Sequence, residues 1–194
     1  MRIVGGTWRG KPFDAPSGRD VTRPTTDRVR EAMASMVLSA YDLDLSGVSV
    51  LDAFAGSGAI GLELVSRGAG SATLVDSDRR NAQLLRANVS GLGASSQARV
   101  VCGDAFRLAA SGRMPGAPFG VVALDPPYAT DAGQVGGLVD SLAVAGLLAD
   151  GCLVLYERSS GGPELSLSCG SSVVKQKRYG TTCVDLLRIE GVRD

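Results

Sequence analysis

The chain has 194 residues, 44% of them apolar, and its 20 Lys and Arg balance 20 Asp and Glu, with no histidine at all. That length suits one ordinary domain with a small appendage, and the absence of any 18-residue apolar run or apolar leader argues against a membrane span or a signal peptide. Without histidine there can be no His-based triad, His general base or His-containing metal site, so any catalysis must run on carboxylates, hydroxyls, backbone groups or a cofactor, and no metal is expected.

Cys102, Cys152, Cys169 and Cys183 are scattered with no Cys-x-x-Cys pair, the pattern of free structural thiols in a reducing cytoplasm. The zero net charge is unevenly spread. Residues 1–30 carry seven basic side chains against Asp14, Asp20 and Asp27, which leaves this segment at +4 and the remainder at −4. A basic arm on an acidic body points to a polyanionic partner.

Residues 2–16 alternate short apolar groups with glycines and predict two short strands around a glycine-rich turn. Residues 1–22 are therefore read as a β-hairpin arm, and 23–194 as the main domain. Trp8 and Phe13 either pin the arm to the body or present aromatic faces to unpaired bases, with pinning favoured. Arg9 and Lys11, beside Trp8, are placed against phosphate. Residues 17–25 read as loop. A helix then starts with Thr25 or Thr26 capping and Asp27 in its first turn. Val29, Met33, Met36, Val37 and Ala40 form its core face, and Arg28, Arg30 and Glu31 fall elsewhere on the wheel. Pro24 ahead of this helix leaves backbone amides available for a carboxylate or phosphate.

From residue 46 strand and helix alternate. Apolar runs at 48–51, 72–75, 98–102, 119–124 and 152–156 are separated by helical patterns at 59–68, 78–90, 104–111 and 131–147. Such alternation predicts a mostly parallel, buried sheet with right-handed crossovers, a doubly wound α/β fold of Rossmann-like type. The last two segments, 172–178 and 183–189, predict an antiparallel hairpin on the sheet edge.

The first strand ends in Asp52-Ala53-Phe54-Ala55-Gly56-Ser57-Gly58, a small-residue loop that opens the next helix. Glycines at 56, 58 and 61 allow a sharp turn and a close ligand approach to backbone amides. Three carboxylates narrow the ligand. Asp52 stands where a dinucleotide would bring its pyrophosphate, which it would repel, whereas it suits an ammonium. Asp76, at the end of the second strand, can accept from both hydroxyls of a ribose. Asp104, after the third, can accept from an adenine amino group, with the Ala105 amide as partner donor. An amino-acid end, a ribose and an adenine in that order describe S-adenosylmethionine. Any one of these acids, taken alone, reads equally well as a helix cap.

Asp125-Pro126-Pro127-Tyr128 closes the fourth strand and is similar to the [Asp/Asn/Ser]-Pro-Pro-[Tyr/Phe/Trp] signature of methyltransferases acting on planar amino groups. An exocyclic amine is a poor nucleophile because its lone pair is delocalised into the ring. If the Asp125 carboxylate and the Pro126 carbonyl both accept from that amine, they favour charge development on nitrogen and aim it. The prolines stiffen the loop, and Tyr128 offers a face for the base to stack on.

Residues 2–11, the run Arg23-Pro-Thr-Thr-Asp-Arg-Val-Arg-Glu31, the glycine loop and the Asp-Pro-Pro-Tyr loop together resemble the RsmD family over nearly the whole chain. The resemblance implies a methyltransferase for the 2-amino group of one guanine in 16S ribosomal RNA, working on a small subunit or its assembly intermediate. It places Arg23–Asp27, and so Thr25, near the methionine end of the cofactor. Arg2, Trp8, Arg9, Lys11, Arg23, Arg28 and Arg30 are the expected RNA contacts, and a cytoplasmic monomer is expected. One departure is Asp76, where some relatives carry glutamate, an acid equally able to hold a diol. The competing readings are an amino-methyltransferase of adenine or cytosine in DNA, a nicotinamide-dependent oxidoreductase, and a non-catalytic RNA-binding module.

Overall fold

The computed structural model describes residues 1–16, 26–127 and 129–190. Its centre is a seven-stranded sheet in the order β3-β2-β1-β4-β5-β7-β6. Strands β1 (Ser49–Asp52), β2 (Ser71–Asp76), β3 (Ala98–Cys102), β4 (Phe119–Leu124) and β5 (Leu148–Ser159) are parallel. β7 (Thr182–Ile189) then inserts antiparallel between β5 and the edge strand β6 (Ser171–Tyr179). The doubly wound sheet and its terminal hairpin match the sequence expectation.

Alternation along each strand divides the core. Val50, Leu74, Val121 and Leu153 face α1 (Asp27–Ala40), α2 (Ala59–Ser66) and α3 (Arg79–Leu92), whereas Leu51, Val75, Val122 and Val154 face α4 (Ala105–Ala110) and α5 (Ala132–Val144). Helix ends differ from expectation where backbone chemistry intervenes. α5 stops at Val144 rather than 147 because Gly146 turns at φ +66°, and β5 starts early, at Leu148. Thr26, not Thr25, is the cap of α1, its hydroxyl accepting from the Val29 amide.

The expected arm hairpin is present in short form: beside the bridge between Arg2 and Pro12, the Ile3, Gly10 and Phe13 amides donate to the Lys11, Ile3 and Met1 carbonyls. What secures it is docking. Ile3 and Phe13 are buried in the α1/α2/α3 core, and the buried Glu63 carboxylate of α2 accepts from the Val4 and Gly5 amides, both at 2.8 Å. Asn88 of α3 accepts from the Asp14 amide and donates to the carbonyls of Asp14 and Ser57, so it joins the arm to the glycine loop. The 22/23 boundary drawn from the sequence lies outside the described residues.

Arg30 requires a correction. The sequence put it off the core face of α1 and among the RNA contacts, yet it is 1% exposed. Its Nη2 donates to the Arg2 carbonyl at 2.9 Å and to Asp27 at 2.6 Å, and the guanidinium lies over the Phe13 ring. A guanidinium can be buried when backbone, carboxylate and aromatic partners replace water. Arg30 therefore works as an internal strut between α1 and the arm.

Candidate active site

The sheet order reverses between β1 and β4, and in an open α/β sheet such a switch point leaves a crevice at the carboxyl ends of the strands. The crevice here has a volume of about 440 Å³, within the usual range for small-molecule sites. Its walls include Ala53, Phe54, Gly56, Asp76, Asp104, Ala105, Asp125 and Pro127, eight residues chosen from the sequence. The glycine loop and the proline loop thus open onto one edge, secured where the Ala53 amide donates to the Ala123 carbonyl at 3.1 Å.

Asp52 lies beneath this crevice, 2% exposed. Its Oδ2 accepts from the Gly61 amide in the first turn of α2 at 3.0 Å, while its Oδ1 is buried without a hydrogen-bond partner. Loss of water pushes the carboxyl up to about 7, and the charges of Asp125 and Asp76 add to the rise, against stabilisation by the Gly61 and Phe54 amides. Gly61 serves packing rather than ligand approach. A Cβ there would stand 2.4 Å from Leu74 and 3.2 Å from the Asp52 Cβ. Gly58 caps α2 at φ +83°, a conformation that requires glycine where a side chain would also strike Leu85 and Leu62.

Asp76 Oδ2 accepts from the Gly56 amide at 2.9 Å and Oδ1 from the Asp78 amide at 2.8 Å, with the Asn81 amide group beside both. Burial raises its pKa, and these hydrogen bonds oppose the rise. Asp104 caps α4, with Oδ1 accepting from the Phe106 and Arg107 amides. The cap occupies Oδ1 alone, which leaves the lone pairs of Oδ2 available to a ligand. Pro126 is half-buried and is not among the residues that line the crevice, and the Pro127 carbonyl accepts from the Thr130 amide at 2.8 Å. Thr25, Arg23 and Tyr128 lie outside the described residues.

Several lining residues were not singled out from the sequence. Phe106 packs against Phe54 with ring centroids 5.8 Å apart and forms an aromatic corner of the crevice, alongside Asn81, Asp78 and Thr130. The signal for Phe106 was its place two residues beyond Asp104 at the start of a helix. Among the expected RNA contacts, Arg2, Arg9, Lys11 and Arg28 are exposed, and Arg2 pairs with Asp27. Trp8 is half-buried and packs against the core, as the pinning reading required.

Comparisons with known proteins agree with this geometry. Residues 1–188 match the family described as conserved hypothetical protein 95. The chain is 39% identical to ribosomal RNA small subunit methyltransferase D of Escherichia coli K12 over 81% of its own length and 74% of that protein. It is 32% identical to the candidate rRNA methyltransferase YlbH of Bacillus subtilis 168, over 98% of this chain and 100% of YlbH. The solved structure of the candidate methyltransferase yhhF from Escherichia coli superposes with a TM-score of 0.80 at 35% identity, covering 98% of both chains.

Proposed function

The chain belongs to the RsmD family of S-adenosylmethionine-dependent methyltransferases, and from that premise we propose that it methylates the exocyclic 2-amino group of a guanine in 16S ribosomal RNA. The observation that carries the proposal is the meeting of the glycine loop and the Asp125 loop in one crevice at the switch point. S-adenosylmethionine supplies an electrophilic methyl group on a sulfonium. The chain's own carboxylates fit that ligand. The orphaned, buried Asp52 Oδ1 suits its ammonium, Asp76 its ribose hydroxyls, and Asp104 with the Ala105 amide its adenine edge.

The target amine is a weak nucleophile, so the task of the protein is orientation and charge stabilisation. Asp125 and the Pro126 carbonyl accept its two N–H groups and turn the nitrogen towards the crevice. As nitrogen gains carbon it must lose a proton, and the Asp125 carboxylate, which accepts a hydrogen bond from that N–H, is the group placed to receive it. The base reaches this position only when unstacked, because the crevice cannot admit a duplex. The substrate is taken to be the partly assembled small subunit, with the enzyme acting as a cytoplasmic monomer.

Asp125→Ala should lower turnover by on the order of 10² or more, as for other preorganised electrostatic groups, while cofactor affinity stays near normal. Incubating under-methylated small subunits with labelled cofactor, then mapping the modified base, tests the whole reading. Label in DNA but not in ribosomal RNA would overturn the substrate, and near-normal turnover by Asp125→Ala would remove that residue from the mechanism.

A further inference from the structure

A second cleft, of about 520 Å³, lies between the arm and the helices α1 and α2, separate from the crevice at the strand ends. Arg2, Arg9 and Arg67 line it, with Glu31 as the carboxylate in its wall, and the backbone of Gly5 and Gly6 forms one side. Two guanidinium groups of the arm and one that follows α2 meet here; Arg2 is paired with Asp27 and Arg67 with Glu63, so Arg9 is the exposed cation beside Glu31 and the recess as a whole is only modestly cationic.

Arg67, which directly follows α2, distinguishes the recess from ordinary solvated surface. Its side chain is only 13% exposed, and its Nε donates to Glu63 at 2.8 Å. The same Glu63 carboxylate accepts from the Val4 and Gly5 amides. The guanidinium lies flat on Gly5, where an added Cβ would stand 2.5 Å from Nη2 and 2.6 Å from Cζ. A guanidinium fixed in this way has already lost the rotamer freedom that a flexible surface arginine gives up on binding, and its planar fork matches a phosphate. Arg2 is also held, since Arg30 grips its carbonyl at 2.9 Å.

We infer that this cleft is a phosphate-binding site for the RNA strand flanking the target base, with Arg67 as its fixed anchor and the exposed Arg9 as its mobile partner. The inference rests on the RNA substrate proposed above. Its location sets its role. α2 runs from the glycine loop towards the opposite edge of the sheet, so Arg67, eight residues beyond Ala59, lies about 12 Å from the loop along the helix. At about 3.4 Å per nucleotide of a stacked strand, that rise along α2 spans roughly three or four nucleotides. Binding energy collected there serves to position the target amine.

The test uses the full chain with Arg67→Gln, Arg67→Lys and Arg9→Gln, assayed on under-methylated small subunits. Arg67→Gln should raise KM for the subunit about tenfold with kcat and cofactor affinity unchanged, and should flatten the salt dependence of RNA binding by about one phosphate contact. Arg67→Lys should recover only part of the loss, and the exposed Arg9→Gln, which carries little folding risk, should show a smaller rise in KM. If Arg67→Gln and Arg9→Gln melt like the parent and keep its KM and salt slope, the inference fails. If KM is unchanged but inorganic phosphate stabilises the parent and not Arg67→Gln, the cleft takes a free anion and the RNA assignment fails. Absence of methyl transfer by the parent would instead overturn the proposed function, so the two failures are separable.

Discussion

Asp52 has one oxygen committed to the first turn of α2 and the other buried without a partner, a costly arrangement unless a ligand completes it. With its pKa raised from 3.8 to about 7, the folded chain binds this proton more tightly than the unfolded chain does. Its contribution to stability is therefore full below about 3.8 and is lost as pH rises towards about 7. A ligand ammonium beside the carboxylate reverses that preference. S-adenosylmethionine should bind about fivefold more tightly at pH 7 than at pH 6, an effect that ends above about 7.7, where an α-amino group loses its own proton. Asp125 and Asp76 face the same carboxyl, and the raised pKa of Asp76 acts in the same direction. Titrating cofactor affinity against pH for the parent and Asp52→Asn should thus show a smaller slope in the variant. Equal slopes would separate Asp52 from the ammonium.

At the scale of elements, the arm is held by side chains of α2 and α3 rather than by strand pairing. Glu63 is the centre of that attachment, with two amides and the Arg67 guanidinium converging on one buried carboxylate. Glu63→Ala leaves two donors and a largely buried cation unsatisfied, so a loss of about 3–5 kcal/mol is expected. Urea unfolding should report that loss, and limited proteolysis should cut the arm before the body. A loss below about 1 kcal/mol would mean that the arm is held by Ile3 and Phe13 alone. This attachment explains what the sequence hid. Strand-end acids and the proline loop were legible because local pattern alone puts them at one edge of a parallel sheet. Arg30 was misread and Arg67 passed over because the segments that cover them, at Arg2 and Gly5, lie 28 and 62 residues away, although their carboxylate partners Asp27 and Glu63 stand one helical turn off. A helical wheel shows which face a residue takes and cannot show that a distant segment will cover that face. Phe106 was lost for a related reason, since its partner Phe54 comes from another loop.

For the whole molecule, the decisive contrast is between a methyl donor and a dinucleotide, which share this fold and its glycine loop. In dinucleotide enzymes the amides opening the helix after that loop receive the pyrophosphate. Here the Gly61 amide is already taken by Asp52, and Asp76, Asp78, Asp104 and Asp125 line the remaining space with like charge. A pyrophosphate would have to displace a buried carboxylate and approach four more, whereas a sulfonium and an ammonium are favoured by the same acidic lining. A ligand that binds only the folded chain stabilises it by about 2.7 kcal/mol at one hundred times its Kd. For a domain of this size each kcal/mol is worth roughly 2–4 °C, so saturating S-adenosylmethionine should raise Tm by about 5–11 °C. NAD at the same concentration should leave Tm unchanged within about 1 °C. In Asp52→Asn the S-adenosylmethionine shift should shrink, while NAD should still fail to stabilise, because the four carboxylates that line the crevice remain. A shift with NAD equal to that with S-adenosylmethionine would mean that the charge pattern of the crevice does not select its ligand.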